Sequence, residues 1–255
     1  MPHASRYIGI TGVTSRGQAQ AILDAMPSCT SRQLMIGVLA SNKTLAGYPH
    51  QQWPDRYPPP EELVNIFPDS PRALNLLKYE TDEVETVFDQ LIELSERCGK
   101  FLHGFQLNIP WPDPYMLKAY RGLHPEKRFI LQITGSMCTE MHNDRKAIAN
   151  RIQCEYDWLA EHIMIDFSYK PRGLFNSTVI RDYIEAFKEA GLAMGIGVSG
   201  DVYTIGLVRY IAENHPDINT DTGDCLFTKD GRFSVNDAIE LVQKQAYIFS
   251  NGGYV

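Results

Sequence analysis

Asp166 closes the apolar run Ile163-Met164-Ile165-Asp166 and offers the plainest chemistry in the chain. A carboxylate at the end of a buried strand loses part of its hydration, which raises its pKa toward the range useful to a general acid or base. It also has a structural use, capping the next turn or pairing with Lys170 or Arg172. Thr11, in Gly9-Ile10-Thr11-Gly12-Val13-Thr14, carries a hydroxyl that orients a ligand but is a poor acid or base near neutral pH. Gln106 and Asn108, and Gln132 with Thr134, are uncharged polar residues inside apolar runs. Facing an open end they hydrogen-bond a polar ligand; sitting lower they satisfy one another in the core. Lys78 ends another apolar run and suits a Schiff-base amine, without a motif to support it. Lys43, in a loop, reads as a solvated charge or, beside an anion, as a ligand contact.

Two glycine-bearing stretches near the C-terminus add a second kind of chemistry. Ala193–Asp201 (AMGIGVSGD) and Asp217–Asp224 (DINTDTGD) each read as a short strand entering a turn. Backbone N–H groups exposed at such strand ends hold anions, most often phosphate. Gly197, Ser199, Gly200, Thr222, Gly223 and Asp224 are therefore candidates for ligand binding. Asp221 and Asp224 bring negative charge to the same place, so a phosphate there needs a cation, a lysine or an arginine to offset it.

These residues need a scaffold that gathers strand ends. Apolar strand-like runs begin near Tyr7, Leu34, Ala73, Phe101, Arg128, His162, Leu192 and Asp217, with a helical pattern after each. Eight such βα units with no glycine- or proline-rich linker predict a single (β/α)8 TIM barrel domain over residues 1–255; a doubly wound open sheet is the alternative. In a barrel the two glycine stretches become strands seven and eight, a common phosphate position. The helices show a 3.6-residue period. Val84, Val87, Phe88, Leu91 and Leu94 form one stripe, Ile180, Tyr183, Ile184 and Phe187 another, and Val235, Ala238, Ile239 and Val242 a third. One connection is long: Ser41–Pro60 has five prolines and the aromatic residues Tyr48, Trp53 and Tyr57. Following strand two it lies on the catalytic face, as a ligand cover or as a plain surface excursion.

Composition bounds the function class. The chain has 255 residues, 44% of them hydrophobic, and a net charge of −7. That suffices for a large core and disfavours a nucleic-acid or anionic-membrane binder. No signal peptide and no membrane-length apolar run is read, and the five scattered cysteines support neither a disulfide framework nor a zinc site. The expectation is a soluble, cytoplasmic protein with no nucleic-acid or membrane partner and no metal; a homo-oligomer stays open. Gly195-Ile196-Gly197 lacks the context of a dinucleotide fingerprint, so no cofactor is expected.

The order of these motifs resembles the phosphoribosylanthranilate isomerase family, whose members are (β/α)8 barrels. Thr11-Gly12-Val13-Thr14 with Gln18-Ala19 is similar to the family's opening Cys-Gly-Ile-Thr and its Asp-Ala pair. Phe105-Gln106-Leu107-Asn108 is similar to its fourth strand, Ile163–Asp166 to its sixth, Gly197–Gly200 to its glycine phosphate turn, and Asn219–Cys225 to its eighth strand. The resemblance implies an isomerase of the Amadori, aldose–ketose type acting on a phosphorylated small molecule, with Asp166 as the acid. It places Thr11 where the family has its base cysteine, and it finds no secure counterpart of the arginine after strand two, though Lys43 lies near. Two alternatives follow: a catalytically silent binding barrel, or a lyase or aldolase using Lys78.

Overall fold

The computed structural model describes residues 5–50, 53–166, 177–199 and 205–253. Strands β1 (Tyr7–Thr11), β2 (Gln33–Ser41), β3 (Ala73–Glu80), β4 (Gly104–Leu107), β5 (Arg128–Thr134), β6 (His162–Asp166), β7 (Gly195–Ser199) and β8 (Asn219–Thr222) pair in sequence order, all parallel. β8 closes on β1 through Ile8, Gly9 and Ile10 opposite Thr220, Asp221 and Thr222. This is a (β/α)8 barrel, as the alternation of the sequence predicts. The helices are α1 (Arg16–Ala25), α2 (Asn42–Leu45), α3 (Leu63–Ile66), α4 (Val87–Cys98), α5 (Pro114–Leu123), α6 (Gly135–Glu140), α7 (Arg145–Glu155), α8 (Ser177–Glu189), α9 (Ile205–Asn214) and α10 (Val235–Ser250). Among the described residues no helix is long and apolar enough to cross a membrane.

Local signals account for the element ends. Ser15, Asp113, Asp144 and Ser234 cap α1, α5, α7 and α10 by accepting backbone N–H bonds. In α4 the residues Val87, Leu91, Leu94 and Cys98 are buried as the 3.6-residue period requires, and Phe88 packs half-buried beside them. Val84 departs from the expected stripe: it lies in a 3-10 turn before α4 and is 41% exposed. Phe101 likewise belongs to a 3-10 turn, and β4 starts only at Gly104.

Strand alternation divides the side chains into an outer layer under the helices and an inner layer within the barrel. The inner layer changes character along the axis. Its lower part is the apolar cluster Tyr7, Met35, Leu74, Leu76, Ile130 and Met164. Gly197 belongs here: a Cβ on it would stand 2.8 Å from Met164 Cε and 3.2 Å from the Tyr7 hydroxyl. Its missing side chain makes room for Met164, so Gly197 serves packing below the turn, contrary to the phosphate-turn expectation.

At the floor, His162 is 1% exposed and its Nδ1 lies 3.2 Å from Asn219 Nδ2. Burial, with Arg128 adding to it, pushes the imidazole pKa from 6.5 down to about 3. The folded protein therefore keeps His162 neutral where the unfolded chain protonates it. Its cost appears as pH falls below about 6.5 and accumulates until about 3, at up to about 1.4 kcal/mol per pH unit. Denaturant unfolding at pH 7 and pH 5 should show wild type losing more stability between the two than His162→Gln; equal losses would remove His162 as the cause.

Candidate functional site

Toward the C-terminal ends of the strands the inner layer becomes polar. Thr11, Lys78, Gln106, Gln132, Asp166 and Asp221 converge there from β1, β3, β4, β5, β6 and β8, with Asn108 following β4. Thr11 Oγ1 donates to Asp221 Oδ1 at 2.8 Å. Gln106 Nε2 donates to Asp221 Oδ2 at 3.2 Å and to Gln132 Oε1 at 2.9 Å. Gln132 Nε2 donates to Asp166 Oδ2 at 2.7 Å and to Asn108 Oδ1 at 3.0 Å. Asn108 Nδ2 donates in turn to Glu80 Oε2 at 3.2 Å, and the Tyr57 hydroxyl to Glu80 Oε1 at 2.7 Å. The result is a continuous belt of hydrogen bonds from β1 and β8 across the barrel to the loop after β2. Thr11, Gln106 and Gln132 are 4%, 0% and 1% exposed, so of the two arrangements open to the glutamines they adopt the lower, mutually bonded one.

The charge in this belt centres on Lys78. Its ammonium is 3.4 Å from Asp166 Oδ2, longer than a tight ammonium–carboxylate contact. Burial on its own lowers the pKa of this amine, but the charges of Asp166, Asp221 and Asp224 outweigh burial and hold it above its ordinary value. Lys78 is thus a cation at neutral pH. Asp221 behaves in the opposite sense: burial, reinforced by the charge of Asp166, raises its pKa, and Lys78, Thr11 and Gln106 offset part of that rise. A protonated ammonium lacks the free amine a Schiff base requires, so this environment disfavours the aldolase reading of Lys78.

The second charged feature is the strap between Ser41 and Pro60. Arg56 donates to Asp224 Oδ1 at 2.8 Å, and its guanidinium lies between the rings of Trp53 and Phe227, 3.9 and 4.0 Å from their centroids. Phe227 in turn covers Gly12, whose φ is +109° and whose Cβ would meet the ring at 2.4 Å. Only glycine combines that backbone with that contact. Arg56 and Tyr57 therefore tie the strap to the ends of β8 and β3.

The sequence-derived site residues divide accordingly. Asp166, Thr11, Gln106, Asn108 and Gln132 come together in the belt. Ser199 is buried at the end of β7, in register with Asp166 and Asp221. Gly200 lies outside the described residues, as do Lys170 and Arg172. Thr222 departs from the expectation. Thr220 points outward to Gln245 of α10 at 2.5 Å, and two-residue alternation puts Thr222 on that same outer face. Asp224 faces Arg56, and Lys43 is exposed and paired with Asp82 at 2.9 Å. Arg56 and Glu80 were not among the candidates. Arg56 sits in a proline-rich loop, its partner Asp224 is 168 residues away, and no local pattern reveals such a contact. Glu80, two residues beyond Lys78 on the same strand face, was accessible to the period-two argument once β3 is extended to its end. Among the described residues no group of three His, Cys, Asp or Glu is placed to hold a metal ion.

No protein-family model matches the chain, and no curated protein is matched by its sequence. Solved structures do match by fold. A protein of Aquifex aeolicus VF5 superposes with a TM-score of 0.61 at 16% identity, over 96% of this chain and 93% of that one. The carboxyl transferase domain of Rhizobium etli pyruvate carboxylase, solved with pyruvate, superposes with a TM-score of 0.56 at 14% identity; it covers 96% of this chain, which spans 44% of the length of that one. These likenesses show a shared fold. Fold and site together define a (β/α)8 barrel whose C-terminal mouth holds a lysine among buried carboxylates.

Two stacked rings and one ion pair hold Arg56, and their weights differ. A guanidinium desolvated between aromatic faces gains about 1–2 kcal/mol, whereas its partner Asp224 is 69% exposed and the pair is screened by solvent. Arg56→Ala should lower unfolding stability by about 2 kcal/mol and Asp224→Asn by less than about 1 kcal/mol. Equal losses in denaturant titrations would assign the strap to charge instead of stacking.

Proposed function

We propose that the barrel is an enzyme that moves a proton at a carbon next to a carbonyl, with Asp166 and Lys78 as the working pair. The observation that carries this reading is the Lys78 amine 3.4 Å from Asp166 at the C-terminal end of the barrel, where (β/α)8 enzymes keep their chemistry. Asp166 takes the α-proton from the substrate carbon. The Lys78 ammonium donates a hydrogen bond to the carbonyl oxygen, on which the negative charge of the enolate develops. Asp166 then returns the proton to the former carbonyl carbon, while Lys78 gives its proton to the former carbonyl oxygen and takes one back from the neighbouring hydroxyl, which completes an aldose–ketose type isomerisation. Gln132 orients the Asp166 carboxylate through the 2.7 Å bond, and Asn108 and Gln106 fix Gln132 in turn.

Resemblance to the phosphoribosylanthranilate isomerases implies Asp166 as the acid and puts Thr11 at the place of the base; in this proposal Asp166 first takes the proton and then returns it, and Thr11 has a different role. The Thr11 hydroxyl donates to Asp221 and is a positioning group, so Asp166 serves as base and Lys78 serves the carbonyl oxygen. A phosphorylated substrate is the narrower form of the proposal. In its favour, Arg56 brings a guanidinium to the end of β8, and Gly223 is open beside Thr11, with no contact to an added Cβ closer than 3.4 Å. Within this narrower form Ser199 and the backbone of Gly223 face the phosphate.

Incubation in D2O with a panel of ketoses, aldoses and 2-oxo acids, each free and phosphorylated, tests the reaction by the loss of α-proton signals in NMR spectra. The expected result is exchange of at least one member, slowed about 10²–10⁴-fold by Asp166→Asn and about 10²–10³-fold by Lys78→Met. Exchange at the wild-type rate in Asp166→Asn would contradict the proposal and favour a silent binding barrel. Exchange confined to phosphorylated members supports the narrower form, and exchange confined to free ones removes it.

A further inference from the structure

Beside the mouth lies a cavity of about 760 Å³, within the range of small-molecule sites. Its walls come from the start of the strap (Ser41 to Lys43 and Tyr48 to His50), from the end of β3 (Glu80 to Asp82) and from Asn108. Glu80 and Asn108 belong to both the cavity and the hydrogen-bonded belt, so the cavity adjoins the Asp166 site directly.

The charges in its wall are unequally matched. Asp82 is fully engaged: Lys43 Nζ meets one oxygen at 2.9 Å and Asn42 Nδ2 the other at 2.9 Å. Glu80 receives only neutral donors, the Tyr57 hydroxyl and the Asn108 amide. No lysine or arginine among the described residues forms an ion pair with it. Its oxygens are hydrogen-bonded, the charge of Lys43 acts on it only from that lysine's pairing with Asp82, and the one lysine and two carboxylates of the wall leave a negative charge in excess. Facing the same space are aromatic surfaces. The His50 ring stacks on Tyr57 at 4.6 Å and 6°, and Tyr48 is 67% exposed. A carboxylate next to aromatic faces is the combination that binds organic cations, through charge and through the ring quadrupole together. It repels anions, so it is unsuited to a phosphate or a carboxylate.

We infer that this cavity is the recognition pocket for a cationic group on the ligand, an ammonium seated between the Glu80 carboxylate and the aromatic wall. The inference deepens the proposed reaction, since it names what the far end of the substrate carries; binding of the cation itself does not depend on that reaction. Glu80 holds the ammonium, Tyr57 and Asn108 hold Glu80, and Asn108 passes the register of the bound group to Gln132 and Asp166.

Calorimetric or NMR titration of the 255-residue chain at fixed ionic strength tests this with three isosteric probes: n-butylammonium, n-butanol and butyrate. The expected result is saturable binding of n-butylammonium, at least tenfold tighter than n-butanol, with no binding of butyrate. Glu80→Gln, which keeps the size and one acceptor, should weaken the ammonium at least tenfold. Tyr48→Ala, at an exposed position that leaves the fold intact, should weaken it about threefold. Asp166→Asn should leave it unchanged. Butanol binding as tightly as the ammonium, or an affinity untouched by both Glu80→Gln and Tyr48→Ala, would overturn the inference. So would loss of ammonium binding in Asp166→Asn, which would assign the cation to the mouth instead. Ammonium binding intact in a protein that exchanges no α-proton leaves the pocket standing and removes only the reaction.

Discussion

A partly buried ammonium held by carboxylates from across the barrel is the interaction on which the rest of this structure depends. Lys78 is costly to enclose in a protein interior unless its charge is matched. Asp166 and Asp221 match it from strands β6 and β8, across the barrel from β3. Those carboxylates need partners in their turn, which Thr11, Gln106 and Gln132 supply from β1, β4 and β5. Residues from six of the eight strands thus meet in one cluster, and the cluster exists only when the barrel is closed in the correct register. A one-residue slip of any of these strands would turn its polar side chain out under the helices.

The same constraint explains the two halves of the barrel interior. Below the cluster the inner layer is apolar and close-packed, with Gly197 leaving room for Met164. Above it Glu80 and Asn108 extend the hydrogen bonds outward to the strap, where Tyr57 ends the belt. The strap is fastened a second time by Arg56 between Trp53 and Phe227, over the glycine that follows Thr11. The belt, the adjoining cavity and the placing of the long loop therefore share one set of contacts.

The barrel was legible because its signals are local and repeated: eight apolar runs and helices with a 3.6-residue period. Asp166 was legible for the same reason, as a carboxylate ending an apolar strand. What the sequence did not show depended on distance in the chain. The partnership of Lys78 with Asp166 joins residues 88 apart, and that of Arg56 with Asp224 joins residues 168 apart. Lys78 read as an isolated lysine because its meaning lies in the strands opposite. Gly197 and Thr222 were misplaced for a subtler reason: a glycine turn motif does not say which face of the strand its residues occupy, and alternation across β7 and β8 decides that.

The account turns on Lys78 being a cation kept charged by its neighbours. Lysine side chains enriched in ¹³C at Cε report their protonation directly in an NMR pH titration, and Lys78→Arg assigns the resonance. The account predicts a midpoint for Lys78 above the ordinary lysine value of 10.5, falling when Asp166 is replaced by asparagine. A midpoint below 10.5 in the wild-type protein, unmoved by that replacement, would contradict it.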